Sequence, residues 1–348
     1  MLSFNQLVKT ITQGGVYMEN GLENKKVRNR LFSKNKRDVD NLYEESTFVK
    51  QFKRNRILIL MLVPAITYFV LFSYLPMTGA VVAFKNYNFR DGIFGSPWVG
   101  FENFKYFFIS GQAWTVTRNT IFYNVLFIVI NTVLQMGLAI LISEIGGKFF
   151  KKLTQTAMFL PYFISWVVVG MIAYNFLNVE HGTINTLLSK FGAEKINFYG
   201  TTWVWPIILV FFSAWKNVGY GTVLYLAAIM GIDTEIYEAA EIDGANIFQR
   251  IFKVTIPCLI PTLIILTLLA IGNIFRGDFQ MFYQLVGNNG PLFNTTDVID
   301  TFTFRSLIQS GEVGMSAAAG LYQSVFCFIT IVFTNFLVKK YDPDYSLF

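Results

Sequence analysis

The sequence predicts an all-α membrane protein: six transmembrane helices, both termini in the cytoplasm, and a short cytoplasmic helix between the fourth and fifth spans. Three observations carry this expectation. Of 348 residues, 53% are hydrophobic and only 14% are charged, whereas a soluble domain is about one quarter charged. The apolar residues are gathered into runs long enough to cross a bilayer, which takes roughly 20 of them. Finally, the basic residues concentrate on alternate connections, which orients the chain by the positive-inside rule.

The chain opens with a basic tail. Residues 1–56 hold 12 Lys and Arg against 6 Asp and Glu, so the tail carries the whole net charge of +6. A basic segment abutting a span reads as a cytoplasmic anchor on anionic lipid. Nucleic-acid binding is the rival reading, and no fold signature for it accompanies the cluster. The six runs follow at approximately 57–80, 117–143, 154–178, 204–230, 258–285 and 316–338, giving a six-helix transmembrane domain over 57–338 and a short tail over 339–348. Lys148, Lys151 and Lys152 lie on connection 144–153, Arg250 and Lys253 on 231–257, and Lys339 and Lys340 after the last run. These belong with the basic tail on one side. The opposite connections, 81–116, 179–203 and 286–315, mix both signs.

Those opposite connections carry features of their own. Residues 98–108, WVGFENFKYFF, suit a short helix at the membrane interface, serving either as an aromatic belt or as a docking surface. Residues 286–297, VGNNGPLFNTTD, are turn-rich and polar. Prolines mark the runs: Pro64 and Pro76 in the first, Pro161 near the start of the third, Pro257 and Pro261 at the start of the fifth. Each frees a backbone carbonyl and predicts a kink.

The connection before the fifth run is the informative one: MGIDTEIYEAAEIDGANIFQRIFKVTIPCLIP. Asp233 and Thr234 suit the N-cap of a first helix that breaks at Gly244. A second stretch from Ile247 to Val254 then runs into Pro257. Two short helices joined at a glycine make a knob, and its small residues let another protein approach the backbone closely.

Glu238-Ala239-Ala240, three residues, Gly244, nine residues, then Val254-Thr255-Ile256-Pro257 resembles the EAA loop of binding-protein-dependent ABC importer permeases. That loop usually ends Ile-x-Leu-Pro; Val254 and Ile256 depart from it and stay apolar. Residues 55–348 resemble more narrowly the LplB-like polysaccharide-uptake branch of the maltose-permease-like superfamily. The matching stretches are FKNYNFRDGIFGSPWVGFENF, WKNVGYGTVLYLAAIMGID, GDFQMFYQLVGNNG and TTDVIDTFTFR. The first 50 residues have no counterpart there, and no loop is long enough for the large outer domain of the maltose permease itself.

The resemblance implies a permease of a bacterial inner membrane that imports oligosaccharides. The short helix would be the coupling helix, with Glu238, Ala239, Ala240, Gly244 and Pro257 forming the ATPase-coupling segment; Glu238 has capping or local ion pairing as its plainer role. Partners implied are a second, different permease, two ATP-binding subunits that hold ATP and Mg, and an extracytoplasmic sugar-binding protein. The chain itself would carry no cofactor and would not be an enzyme. Consistent with that, it contains no G-x-x-x-x-G-K-[ST] phosphate loop.

Polar residues inside the runs are the candidates for a sugar pathway, because ionisable groups at membrane depth usually face a cavity or a partner. Lys216 lies in the fourth run; Asn273, Arg276, Asp278, Gln280 and Tyr283 lie in the fifth. On a continuous helix, Asn273, Arg276 and Gln280 share one face. Tyr174, Trp215, Tyr220, Tyr225 and Tyr283 offer planes for stacking. Lys216 and Arg276 together raise a narrower expectation, an acidic, uronate-containing oligosaccharide whose carboxylates offset the desolvation of the two cations.

Two other classes compete. A secondary transporter driven by an ion gradient needs paired broken helices and ion-site carboxylates, for which Asp278 is thin support. A membrane enzyme lacks material: His181 is the sole histidine, and Cys258 and Cys327 show no metal-ligand spacing.

Overall fold

The computed structural model of the protein describes residues 55–347, so the predicted basic tail lies outside the described residues except for Asn55 and Arg56. The described residues fall into two units that divide after Pro76. The described part of the first is helical from Arg56, and this run, α1, continues to Phe84. In the second unit, α2 (Glu102–Ile109) precedes α3 (Gln112–Glu144). The third run is α4 (Lys148–Phe159) and α5 (Trp166–Leu177), and α6 (Thr183–Lys190) leads to α7 (Trp205–Met230). A hairpin helix, α8 (Thr234–Ile242), connects α7 to α9 (Ile247–Ile271). The chain closes with α10 (Phe279–Val286), α11 (Ile299–Ile308) and α12 (Val313–Tyr341).

Five of these helices are long and apolar enough to cross a membrane, and the α4–α5 pair makes a sixth span if its 92° bend is counted within one crossing. Six spans were expected, but the third was read as continuous. It is broken at Ile164 and Ser165. A 3-10 turn, Leu160–Phe163, carries Pro161, and Ser165 restarts the helix by accepting the Val168 N–H at 3.4 Å. Proline cannot donate into the helix ladder, and serine offers a cap in its place.

Two other prolines are absorbed without a break, by one shared device. A wide π-type turn at Val70–Tyr74 ends with the Leu75 N–H on the Val70 carbonyl, just before Pro76. Another at Ile251–Thr255 ends with the Ile256 N–H on the Ile251 carbonyl, just before Pro257. The wider turn shifts the carbonyl that the proline ring would otherwise strike. Hence the second stretch of the hairpin, which runs into Pro257, continues through it as part of α9.

Lipid is as apolar as leucine, so spans in a bilayer associate through close packing and hydrogen bonds. Glycine provides the closeness here. A Cβ at Gly219 would collide with the Met158 carbonyl, one at Gly170 with the Gln284 carbonyl, and one at Gly221 with the Gln135 side chain. These contacts press α7 onto α4 and α3, and α5 onto α10. The main core joins Tyr123, Trp166, Val169, Trp205, Leu209 and Phe282. A second cluster, with Ile140, Tyr225, Leu226 and Leu259, lies toward the hairpin end. A third contains Phe107, Val116, Ile299 and Phe302. The aromatic segment 98–108 does form a short helix, and Phe107 faces into this core, with its ring centroid 5.3 Å from that of Phe302.

The turn-rich connection 286–315 is tied down. Asn119 of α3 donates from Nδ2 to the carbonyls of Asn294 (3.1 Å) and Asp297 (3.0 Å). The buried Asp297 carboxylate pairs with Arg305. This anchored connection fixes α11 beside the segment where the fifth run breaks.

Candidate functional site

Two features collect the predicted residues: the hairpin at 231–257 and a non-helical segment after α9. The hairpin begins where Asp233 caps α8, its carboxylate accepting the Glu235 N–H at 3.0 Å. It turns at Gly244, whose φ of +76° favours glycine. The Gly244 N–H returns to the Glu241 carbonyl (3.0 Å) and the Ala245 N–H to Ala240 (2.9 Å). That pairing is a Schellman motif, which closes a helix C-terminus. Two residues on, Asn246 and Gln249 exchange side-chain and backbone bonds in a capping box that starts α9. Both sides of the joint are therefore hydrogen-bonded, and the turn is stiff despite its glycine.

Glu238, Ala239 and Gly244 are exposed on this knob and Ala240 is half-buried. Around them stand Ile236, Ile242, Ile247 and Phe248, all exposed and apolar. Behind the knob, the Tyr237 hydroxyl meets the buried Thr255 Oγ1 at 3.0 Å, and Arg250 pairs with Glu241 and Glu144. Pro257, also exposed, belongs to α9 and not to the turn of the knob.

The second feature replaces an expected helix face. Span five was read over 258–285, but α9 stops at Ile271, where Gly272 sits so close to Ile331 that a Cβ would collide with it. The chain then leaves the helix until Asp278 caps α10 by accepting the Met281 N–H at 3.0 Å. Asn273, Arg276 and Gln280 therefore do not share a helix face, because the chain between Ile271 and Phe279 is not α-helical. Freed backbone groups must find partners at membrane depth: two side chains serve the carbonyls and a third accepts an N–H. Asn124 Nδ2 donates to Ile274 (3.0 Å) and Arg276 (3.1 Å). Gln323 Nε2 donates to the Phe275 carbonyl at 2.9 Å and to Asp300 Oδ2 at 2.7 Å. Asp300 Oδ2 also accepts the Gly277 N–H at 2.6 Å.

With its backbone occupied in this way, the segment packs Phe275 against the third cluster and leaves its polar residues at the surface. Asn273, Arg276, Asp278 and Gln280 are all exposed. Tyr283 is half-buried, stacked on Phe279 at 5.2 Å with an interplanar angle of 22° and edge-on to Phe304. The Asp300 carboxyl is held above its ordinary range by burial, which the Gly277 and Gln323 hydrogen bonds and the nearby Arg276 charge offset in part.

Lys216 is placed differently. It is 7% exposed, and its Nζ donates to the carbonyls of Tyr162 (2.8 Å), Pro161 (3.3 Å) and Ile164. These acceptors lie at the bend between α4 and α5, where the Pro161 carbonyl also takes the Ile164 N–H at 3.2 Å, and the Trp166 ring lies 5.3 Å from the ammonium. Lys216 thus clasps the broken span. Tyr225 is likewise unavailable as a stacking plane, being 1% exposed within the second cluster. Tyr174 and Tyr220 remain exposed, Tyr220 stacked on Tyr162 at 4.9 Å. Sequence reasoning passed over Asn124, Asp300 and Gln323, which anchor the open segment. Asn124 and Gln323, amides inside apolar runs, were the available signal.

A polytopic helical bundle with a stiff exposed knob at one end and a polar, non-helical segment set among its spans defines a membrane permease. Residues 132–343 match the family described as binding-protein-dependent transport system inner membrane component, and the chain belongs to it. It is 36% identical over 293 residues to the protein LplB of Bacillus subtilis (strain 168), covering 84% of this chain and 91% of that protein. It is 33% identical over 310 residues to the polygalacturonan/rhamnogalacturonan transport system permease protein YteP of the same strain, covering 86% and 96%. Among solved structures, it is similar to a chain of a bacterial ABC transporter involved in the import of the acidic polysaccharide alginate. The TM-score is 0.76 at 32% identity, covering 84% of this chain and 98% of that one. The same TM-score, at 31% identity, relates it to a bacterial alginate ABC transporter in complex with an alginate pentasaccharide-bound periplasmic protein. The resemblance to the LplB-like branch therefore holds.

Proposed function

We propose that this chain is one permease subunit of an ABC importer that carries oligosaccharides, uronate-containing ones in particular, across the inner membrane. It works beside a second, different permease, above two ATP-binding subunits that hold ATP and Mg, and receives cargo from an extracytoplasmic binding protein. Both termini and the 231–257 hairpin face the cytoplasm, where positive charge collects. The hairpin carries the reading. Glu238, Ala239, Ala240 and Gly244 stand on a surface of small and apolar groups that a neighbouring protein can cover, and the Schellman turn with its capping box makes that surface rigid. ATP-driven closure of the partner subunits then displaces spans instead of bending a loop, and each ATPase state favours one arrangement of the bundle.

The acidic cargo is supported by Arg276, an exposed guanidinium on a segment whose carbonyls are already held by Asn124 and Gln323. Planar guanidinium groups recognise carboxylates by paired hydrogen bonds. The relatives that handle alginate and polygalacturonan point the same way. The test is uptake by the reconstituted four-subunit complex with its binding protein in liposomes. An oligogalacturonate should accumulate only with ATP, and replacing residues 231–257 by a glycine–serine tether should abolish accumulation. Uptake driven by an imposed ion gradient without ATP would refute the reading.

A further inference from the structure

Arg250 lies one turn into α9, four residues after the Asn246 cap, and its guanidinium meets two other helices. Nη1 pairs with Glu241 of α8, and Nη2 lies 3.6 Å from Oε2 of Glu144, the last residue of α3. The Arg250 side chain is 20% exposed, and its Nε–H is buried without a protein acceptor. Among the described residues, the ion pairs that reach the hairpin are those of Arg250. The Tyr237–Thr255 hydrogen bond joins α8 to α9 but leaves α3 out. Ile140 and Ile142 of α3 and Leu259 of α9 share one apolar cluster, a non-directional contact that does not fix the register of the two helices.

We propose that Arg250 is a positioning residue of the transport cycle, a fork that transmits displacement of α8 to the end of α3 as well as to α9. A largely buried ion pair gains little net stability once its desolvation is counted. A planar fork with one carboxylate on each side instead fixes a geometry, which a lysine ammonium cannot do for both partners at once. Pressure on the knob then reaches two spans in step. α3 is the helix that packs most extensively on α7 and also supplies Asn124 to the open segment after α9. The fork thereby connects the knob to the helix that anchors that segment.

The inference rests on the coupling reading above, and its test separates the two. In the complete complex, reconstituted with a binding protein loaded with oligogalacturonate, E144Q should assemble normally and keep basal ATP hydrolysis. Its stimulation by the loaded binding protein, and its sugar transported per ATP, should fall by roughly five-fold or more. R250Q should fall at least as far, R250K should recover part of the loss, and E144Q/R250Q should be no worse than R250Q. Wild-type coupling in both E144Q and R250Q would overturn the inference. So would a loss explained by disassembly, with the surviving complexes coupled normally. A wild-type complex that shows no stimulation at all would instead defeat the coupling reading, and the inference with it.

Discussion

Lys216→Met tests whether the buried lysine is a clasp or a sugar contact. Methionine keeps most of the apolar stem and removes the ammonium. Three hydrogen bonds at the α4–α5 bend are then lost, and the Pro161 carbonyl keeps the Ile164 N–H while those of Tyr162 and Ile164 lose the Lys216 donor. A hydrogen bond from a charged group is worth about 1.5–3 kcal/mol in a soluble protein, whereas interhelical bonds in membranes average about 0.6 kcal/mol. Three bonds at the lower figure, with the bend left unsatisfied, predict a loss of about 2–4 kcal/mol. The assay is reversible unfolding of the purified permease in bicelles, beside Arg276→Gln as a control whose exposed side chain should change stability by no more than about 0.5 kcal/mol. Uptake should fall alike for acidic and neutral oligosaccharides, because the damage is to the span and not to a contact with cargo. A Lys216→Met permease within about 0.5 kcal/mol of the parent, with uptake of uronates alone impaired, would refute the clasp and return Lys216 to the pathway.

Two further outcomes are expected. Arg276→Gln should lower uptake of oligogalacturonate by about ten-fold, the loss of roughly one charge-assisted hydrogen bond, and leave a neutral oligosaccharide nearly unaffected; equal losses in paired transport assays would exclude carboxylate recognition by this residue. Asp300→Asn keeps an oxygen for Gly277 and Gln323 while removing a buried charge. Because burial raises the folded carboxyl above its unfolded value of about 3.9, the native state binds the proton more tightly. The stability this provides is full below the unfolded value and is lost as pH rises through the folded one. Thermal scans should therefore show Asp300→Asn gaining on the parent at pH 8, with the difference closing toward pH 4; a gap independent of pH would mean that the carboxyl is not the source.

The hairpin was legible because its determinants are local. Asp233, Gly244 and Asn246 act within a few residues of themselves, through caps and a left-handed turn, so their types and spacing encode the joint. The two breaks in the bundle were less so. Pro161 announced a disturbance in the third run, but the same residue type at Pro76 and Pro257 is absorbed by a widened turn. Nothing in the local sequence separates the two outcomes, because the choice depends on whether a donor waits on another helix. Lys216 is that donor at Pro161, and it comes from 55 residues away. The fifth run ends early for the same kind of reason, since Asn124 and Gln323 satisfy the carbonyls that an unwound segment releases.

By itself, then, the sequence determined the solvent, the number of apolar runs and the stiff knob, because hydropathy, charge asymmetry and capping are short-range properties of the chain. Only the tertiary structure decided which runs stay helical and which polar side chains face outward. Those outcomes depend on pairing backbone groups with side chains remote in sequence, in an apolar medium where unpaired groups are costly. Lys216 and Arg276 look alike as cations in hydrophobic runs. One became a clasp and the other an exposed guanidinium because of what lay opposite each in space.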